Sequence, residues 1–138
     1  ELAIKLEELA AGYQPGREKA YSFRISKIQG SYIIDPSLAF RQIITDLKNR
    51  EAKEKIAWRF HSSVARMVRK MCLILRKDSG LNKVVLSGGV FQNSLLLKLL
   101  LDLLYEDKFC VLTQHKLSCN DSGISLGQAL IANFFPAT

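Results

Sequence analysis

Lys83-Val84-Val85-Leu86-Ser87-Gly88-Gly89-Val90-Phe91-Gln92-Asn93 is the stretch on which the fold turns. Four residues rich in β-branched side chains read as a short buried strand, Ser-Gly-Gly as the turn that leaves it, and the leucine-dense segment 92–105 as a helix, with Asn93 or Ser94 as its cap. Leucine stands on nearly every side of that helix, so most of its circumference should be buried. Phe109-Cys110-Val111-Leu112 supplies a second strand, and after a polar loop Asp121 stands at the start of a last helix running to about Phe134. Strand, helix, strand, helix is the order of an α/β unit.

Upstream, Leu2, Leu6, Leu9 and Ala10 recur at helical spacing until Gln14-Pro15-Gly16 ends the run. Tyr21, Phe23 and Ile25 then alternate with Ser22, Arg24 and Ser26, and beyond Gly30 the pattern resumes at Tyr32-Ile33-Ile34, which predicts a hairpin. Asp35-Pro36 signals a helix start, with Asp as cap and Pro at the first helical position, and Phe40, Ile43, Ile44 and Leu47 as the buried stripe. A longer helix follows on Ile56, Phe60, Val64, Met67, Met71 and Leu75. Beside it runs a narrower stripe, Ala57, His61 and Ala65, whose small residues leave space for something to approach the imidazole. The helix should close at Asp78-Ser79-Gly80.

The 138 residues, 48% of them hydrophobic, suffice for one core. No apolar run reaches the roughly 18 residues a bilayer span requires and no signal peptide opens the chain, so a soluble, cytoplasmic protein is expected. Because the sequence begins at Glu1 inside an amphipathic segment, it reads as a piece of something longer. Cys72, Cys110 and Cys119 lack the spacing of a zinc or redox motif and read as buried free thiols. Half of the twenty basic residues lie between Lys48 and Lys77, giving much of the +7 net charge. Acidic residues are mixed in and aromatic interleaving is missing, so a solvated face is expected there rather than a nucleic-acid surface.

Three places bear chemistry. Ser87-Gly88-Gly89 lets a backbone approach a ligand without interference from Cβ atoms, and the helix after it offers unpaired N–H groups, an inexpensive phosphate seat; the alternative is a tight turn needing positive φ. In Asn120-Asp121-Ser122-Gly123-Ile124-Ser125-Leu126-Gly127-Gln128, Asp121 is either a helix cap or a carboxylate that holds a metal. Both loops follow strand ends, where ligands of open sheets collect, and are expected to share one hollow. His61 is either a packed, hydrogen-bonded histidine or part of a cleft wall, and His115 lies in the loop before Asp121.

Residues 57–65 (Ala-Trp-Arg-Phe-His-Ser-Ser-Val-Ala), 84–93 (Val-Val-Leu-Ser-Gly-Gly-Val-Phe-Gln-Asn) and 120–132 together resemble, in order, the closing segment of the hydrogenase-maturation carbamoyltransferase (HypF) family. Related tRNA threonylcarbamoyl-transfer proteins carry Gly-Gly-Val-Ala-x-Asn and Thr-Asp-Asn-Gly instead, and Phe91 and Gln128 side with the hydrogenase branch. The resemblance implies a single partial domain over 1–138: the C-terminal lobe (21–138) of an actin-like fold of the sugar kinase and heat-shock ATPase (ASKHA) type, a mixed sheet with packed helices, preceded by a helix and linker (1–20). It implies carbamoyl phosphate and ATP as substrates, carbamoyl-adenylate as intermediate, and transfer to the C-terminal cysteine of a HypE-type acceptor on the route to the cyanide ligands of [NiFe]-hydrogenase.

Carried over by position, Ser87, Gly88, Gly89 and Asn93 would contact the nucleotide, His61 would line its cleft, and Asp121 would be one ligand of a divalent metal (Mg, Zn or Fe). The family's paired metal histidines have no counterpart here, and neither does the first lobe of the cleft. The fragment alone is therefore expected to be inactive, with an apolar face open to that lobe or to self-association. Two other readings stay open: a tRNA-modifying relative, and a non-catalytic lobe that docks a partner.

Overall fold

The computed structural model describes residues 2–114 and 123–134. Its organising unit is β3 (Lys83–Leu86), a 3-10 turn (Gly89–Gln92), α4 (Ser94–Glu106) and β4 (Cys110–Thr113). Before it come α1 (Leu2–Ala11), β1 (Arg24–Ile28), β2 (Ser31–Asp35), α2 (Ser37–Lys48) and α3 (Lys53–Ser79), and after it α5 (Gly123–Phe134). β3 and β4 pair in parallel from Lys83 opposite Cys110 to Leu86 opposite Thr113. Parallel neighbours need a long crossover, and α4 supplies it. Leu96, Leu100 and Leu104, spaced four apart, turn the buried face of α4 onto Leu86, Phe109 and Ala65 of α3. Most of its other leucines are half-buried, as the sequence pattern predicted, while Lys98 and Asp102 face solvent.

At 27 residues, α3 is about 40 Å long and carries the molecule. Gly80 ends it in the left-handed conformation (φ 74°), its N–H donating to the Arg76 carbonyl. Two arginines fasten α3 to the corner between α4 and β4. Arg69 makes a bidentate pair with Asp107 at 2.6 and 2.7 Å, and Arg76 lies 4.1 Å over the Phe109 ring. The Arg69 guanidinium holds the Asp107 carboxyl below the usual carboxylate range. Near its other end α3 anchors the segment before the hairpin: the Tyr21 N–H donates to Ser63 Oγ, its hydroxyl to Asp46, and Arg59 stacks on its ring while pairing with Asp46.

The hairpin forms as expected, starting at Arg24 rather than Tyr21. Gln29 and Gly30 both have positive φ, the two-residue turn whose twist matches antiparallel strands. The expected cap is displaced: Pro36 rather than Asp35 occupies the N-cap of α2, without a side-chain cap bond, and the Asp35 carboxylate, one residue earlier, accepts from the Ser37 N–H at 2.9 Å.

Four expectations need correction. The strands form two separate two-stranded sheets among the described residues, not one mixed sheet. On α2, Phe40, Ile44 and Leu47 are more than half exposed, because the buried side of the helix is the one that carries Ala39 and nothing described covers the outer stripe. On α3 the narrow Ala57, His61, Ala65 stripe is the buried one, and the broader apolar face is only partly covered, with Leu75 exposed. Alanine lets neighbouring helices approach more closely than larger side chains would. Cys110 is exposed at a strand end and Cys72 half-buried, where burial pushes its thiol pKa up; Cys119 lies outside the described residues. No helix among the described residues is long and apolar enough to cross a membrane.

Leu100 sits where α3, α4 and the parallel strands meet. Leu100→Ala should lower unfolding free energy by about 2–5 kcal/mol, read as a lower urea midpoint at unchanged slope.

Candidate functional site

The Ser87-Gly88-Gly89 turn leaves the carboxyl end of β3 with all three residues exposed. Gly88 has φ 103° and ψ 160°, a conformation essentially restricted to glycine. Gly89 is different. Its φ is not positive, and a Cβ there would meet no atom of the described residues within 4 Å. Among the described residues neither backbone strain nor packing requires glycine at 89, whereas a ligand lying against the backbone would. The Gly89 N–H, at the first position of the 3-10 turn, has no acceptor among the described residues. Gln114 Nε2 reaches across from the end of β4 and donates to Ser87 Oγ at 3.3 Å, tying the two strand ends together.

Asn93 caps α4, its Oδ1 accepting from the Leu96 N–H at 2.8 Å. Its Nδ2 lies 2.9 Å from His61 Nε2, and His61 Nδ1 lies 2.8 Å from the Ala57 carbonyl. A carbonyl only accepts, so Nδ1 carries the ring proton and Nε2 accepts from the asparagine amide. His61 is 3% exposed, so its imidazole is packed inside the molecule rather than open to solvent.

Glu7 on α1 completes the corner by accepting from the Leu95 N–H at 3.2 Å, and Leu97 donates to the Asn93 carbonyl. Three of the expected free N–H groups at the start of α4 are thus taken, at Leu95, Leu96 and Leu97. Two adjoining hollows flank Asn93. One, of about 200 Å³, is lined by Gly89, Gln92, Asn93 and α1 residues including Glu7. The other, of about 220 Å³ and mostly apolar, is lined by His61, Asn93, Phe60, Val64, Val90 and Leu96.

Gly89, Asn93 and His61 are therefore brought together around one corner, with Ser87 and Gly88 on the strand side of it. Asp121 and His115, and with them the shared hollow expected between the two loops, lie outside the described residues. Within the described residues no group of three His, Cys, Asp or Glu side chains could hold a metal ion. Sequence reasoning missed Glu7 and Gln114. Glu7 meets its partner 88 positions away, so nothing local marked it; Gln114 carried a faint signal as the first polar residue after a strand end.

The chain matches, over residues 1–128, the family described as the carbamoyltransferase, Kae1-like domain, second subdomain, of HypF proteins. Carbamoyltransferase HypF of Rhodobacter capsulatus is 31% identical over 132 residues, which cover 96% of this chain and 16% of that protein. Carbamoyltransferase HypF of Synechocystis sp. is 28% identical over 82% of this chain and 14% of its own length. A crystal structure of full-length HypF in the phosphate- and nucleotide-bound form superposes with a TM-score of 0.83 at 41% identity, covering 99% of this chain and 18% of that one. T. kodakarensis HypF, at 23% identity and a TM-score of 0.74, shares the fold. The chain thus spans about a sixth of the length of these relatives.

The two glycines should separate in stability measurements. Gly88→Ala should cost about 1–3 kcal/mol, while Gly89→Ala should stay within about 0.5 kcal/mol of the parent, both read by chemical denaturation without ligand.

Proposed function

The chain belongs to the HypF carbamoyltransferase family, and from that premise we propose that it forms part of the site where a carbamoyl-adenylate, made from carbamoyl phosphate and ATP, gives up its carbamoyl group to the C-terminal cysteine of a HypE-type acceptor, on the route to the cyanide ligands of [NiFe]-hydrogenase. The observation that carries this reading is the open Gly88-Gly89 backbone at the carboxyl end of a parallel strand, where nothing among the described residues requires Gly89 to lack a side chain. A HypF structure holding phosphate and nucleotide superposes on nearly all of this chain, which supports the same assignment.

In this proposal the Gly88 and Gly89 backbone and Ser87 Oγ hold phosphate oxygens. Asn93 contributes the second proton of Nδ2, the first being directed to His61, and His61 forms the wall behind it. The cysteine thiolate attacks the carbamoyl carbon; a C–S bond forms, the C–O bond to the phosphate breaks, and AMP leaves with the negative charge on its phosphate. Fixed amide dipoles aimed at that charge would favour the leaving group without reorganising, and a seated adenylate would present an oriented carbonyl. No described side chain is placed as a general base, and a thiolate needs none. A divalent metal accompanying the phosphates would neutralise charge, with Asp121 the proposed ligand from this chain. The remainder of the cleft is proposed to come from a preceding lobe, for which the exposed Phe40, Ile44 and Leu47 stripe is a suitable packing face, and through which copies can also self-associate.

Calorimetric titration with ATP and Mg²⁺ tests the proposal. The intact protein should bind, this 138-residue chain alone should bind much more weakly, and Gly89→Ala in the intact protein should weaken binding about tenfold or more, equivalent to roughly 1.4 kcal/mol. Parent-like affinity in Gly89→Ala, together with unchanged carbamoyl transfer, would remove the glycine turn from the site.

A further inference from the structure

We propose that His61 is a positioning residue: its buried imidazole fixes which way the Asn93 amide faces, and thereby holds the cap of α4 and the edge of the glycine turn in place. The inference follows from hydrogen-bond polarity. Asn93 has one acceptor end and one donor end. The Leu96 N–H requires the acceptor at 2.8 Å, so the donor must point the other way, and there it meets His61 Nε2 at 2.9 Å.

That nitrogen accepts only because the ring proton sits on Nδ1, which donates to the Ala57 carbonyl at 2.8 Å. Ala57 and His61 are one turn apart on α3, so a rigid backbone carbonyl selects the tautomer, the tautomer selects the amide orientation, and the amide caps a second helix. An amide turned over would set Nδ2 against the Leu96 N–H, two donors facing one another, and would leave Nε2 with no proton to accept. The residues beside the ring in the apolar hollow, Phe60, Val64, Val90 and Leu96, carry no hydrogen-bonding side chain that could substitute for Asn93. The chain of bonds stands on geometry alone; only its consequence for ligand binding rests on the reading of the glycine turn as a nucleotide seat.

A pair of substitutions separates orienting from packing. His61→Leu keeps an apolar body of similar size but offers Nδ2 no acceptor, so protection of the Leu96 amide from hydrogen exchange should fall about fivefold, the fold-change that corresponds to a lost helix cap. Asn93→Asp carries two equivalent acceptor oxygens and needs no orienting partner, so adding it to His61→Leu should restore Leu96 protection. His61→Gln, whose carbonyl can accept from Nδ2, should retain most of it.

The experiment is amide exchange resolved at Leu96 in the intact protein, with ring ¹⁵N shifts of His61 reporting the tautomer and ATP titration run in parallel. Protection lost in His61→Leu and regained in the double variant, with a proton on Nδ1 in the parent, supports the proposal. Parent-like protection in His61→Leu, or a loss that Asn93→Asp does not repair, overturns it by reducing His61 to a packed side chain. Parent protein that fails to bind ATP while showing the exchange pattern would instead count against the nucleotide seat and leave the positioning role standing.

Discussion

The hydrogen bond between His61 and Asn93 is the buried polar contact on which the packing of α3 against the start of α4 turns. It joins the N-terminal third of the longest helix to the cap of the helix that crosses between the parallel strands, and it lies where α1 also closes in. Two constraints meet there. Helices can come this near only where side chains are small, which Ala57 and Ala65 provide, and a polar group buried at such a crossing must find a partner, since an unsatisfied one costs about 1–3 kcal/mol. Asparagine and neutral histidine each have a donor end and an acceptor end, and with the Ala57 carbonyl and the Leu96 N–H each of those ends has a partner, leaving one Nδ2 proton of Asn93 over. No buried side-chain polar atom is left without a partner among the described residues.

From this contact follows the division of labour around the glycine turn. The amides of Leu95, Leu96 and Leu97 are taken by Glu7, the Asn93 side chain and the Asn93 carbonyl, so most of the helix start is bound within the chain. The turn ahead of it is exposed, and there Gly88 is needed for its backbone angles while no described residue packs where a Gly89 Cβ would stand. That contrast between adjacent glycines distinguishes a loop shaped by its own turn from one shaped also by what lies against it.

The α/β order from Lys83 onward, the hairpin and both long helices were legible in the sequence because each rests on local periodicity and on strong breakers such as Gly30, Gly80 and the Gly88-Gly89 pair. Burial was less legible. The Phe40, Ile44 and Leu47 stripe has the spacing of a core face yet is exposed, since periodicity reports that a face is apolar and says nothing about what covers it. Conversely, Ala57, His61 and Ala65 looked like an open stripe, because a sequence cannot show that all three are buried and that Asn93 bonds the imidazole. The two small sheets, in place of one, reflect pairings between distant strands that alternation cannot encode. Ser87, Gly88, Gly89 and Asn93 stood out as candidates by residue type and order, while Glu7 and Gln114 emerged only from the folded chain.

The most direct measurement is a backbone and side-chain amide shift map of the intact protein titrated with ATP and Mg²⁺. The largest perturbations among residues of this chain should fall on Gly88, Gly89 and the Asn93 side-chain amide. Saturable binding that leaves those three resonances unmoved, with shifts concentrated instead on the basic face around Arg66 and Lys70, would contradict it.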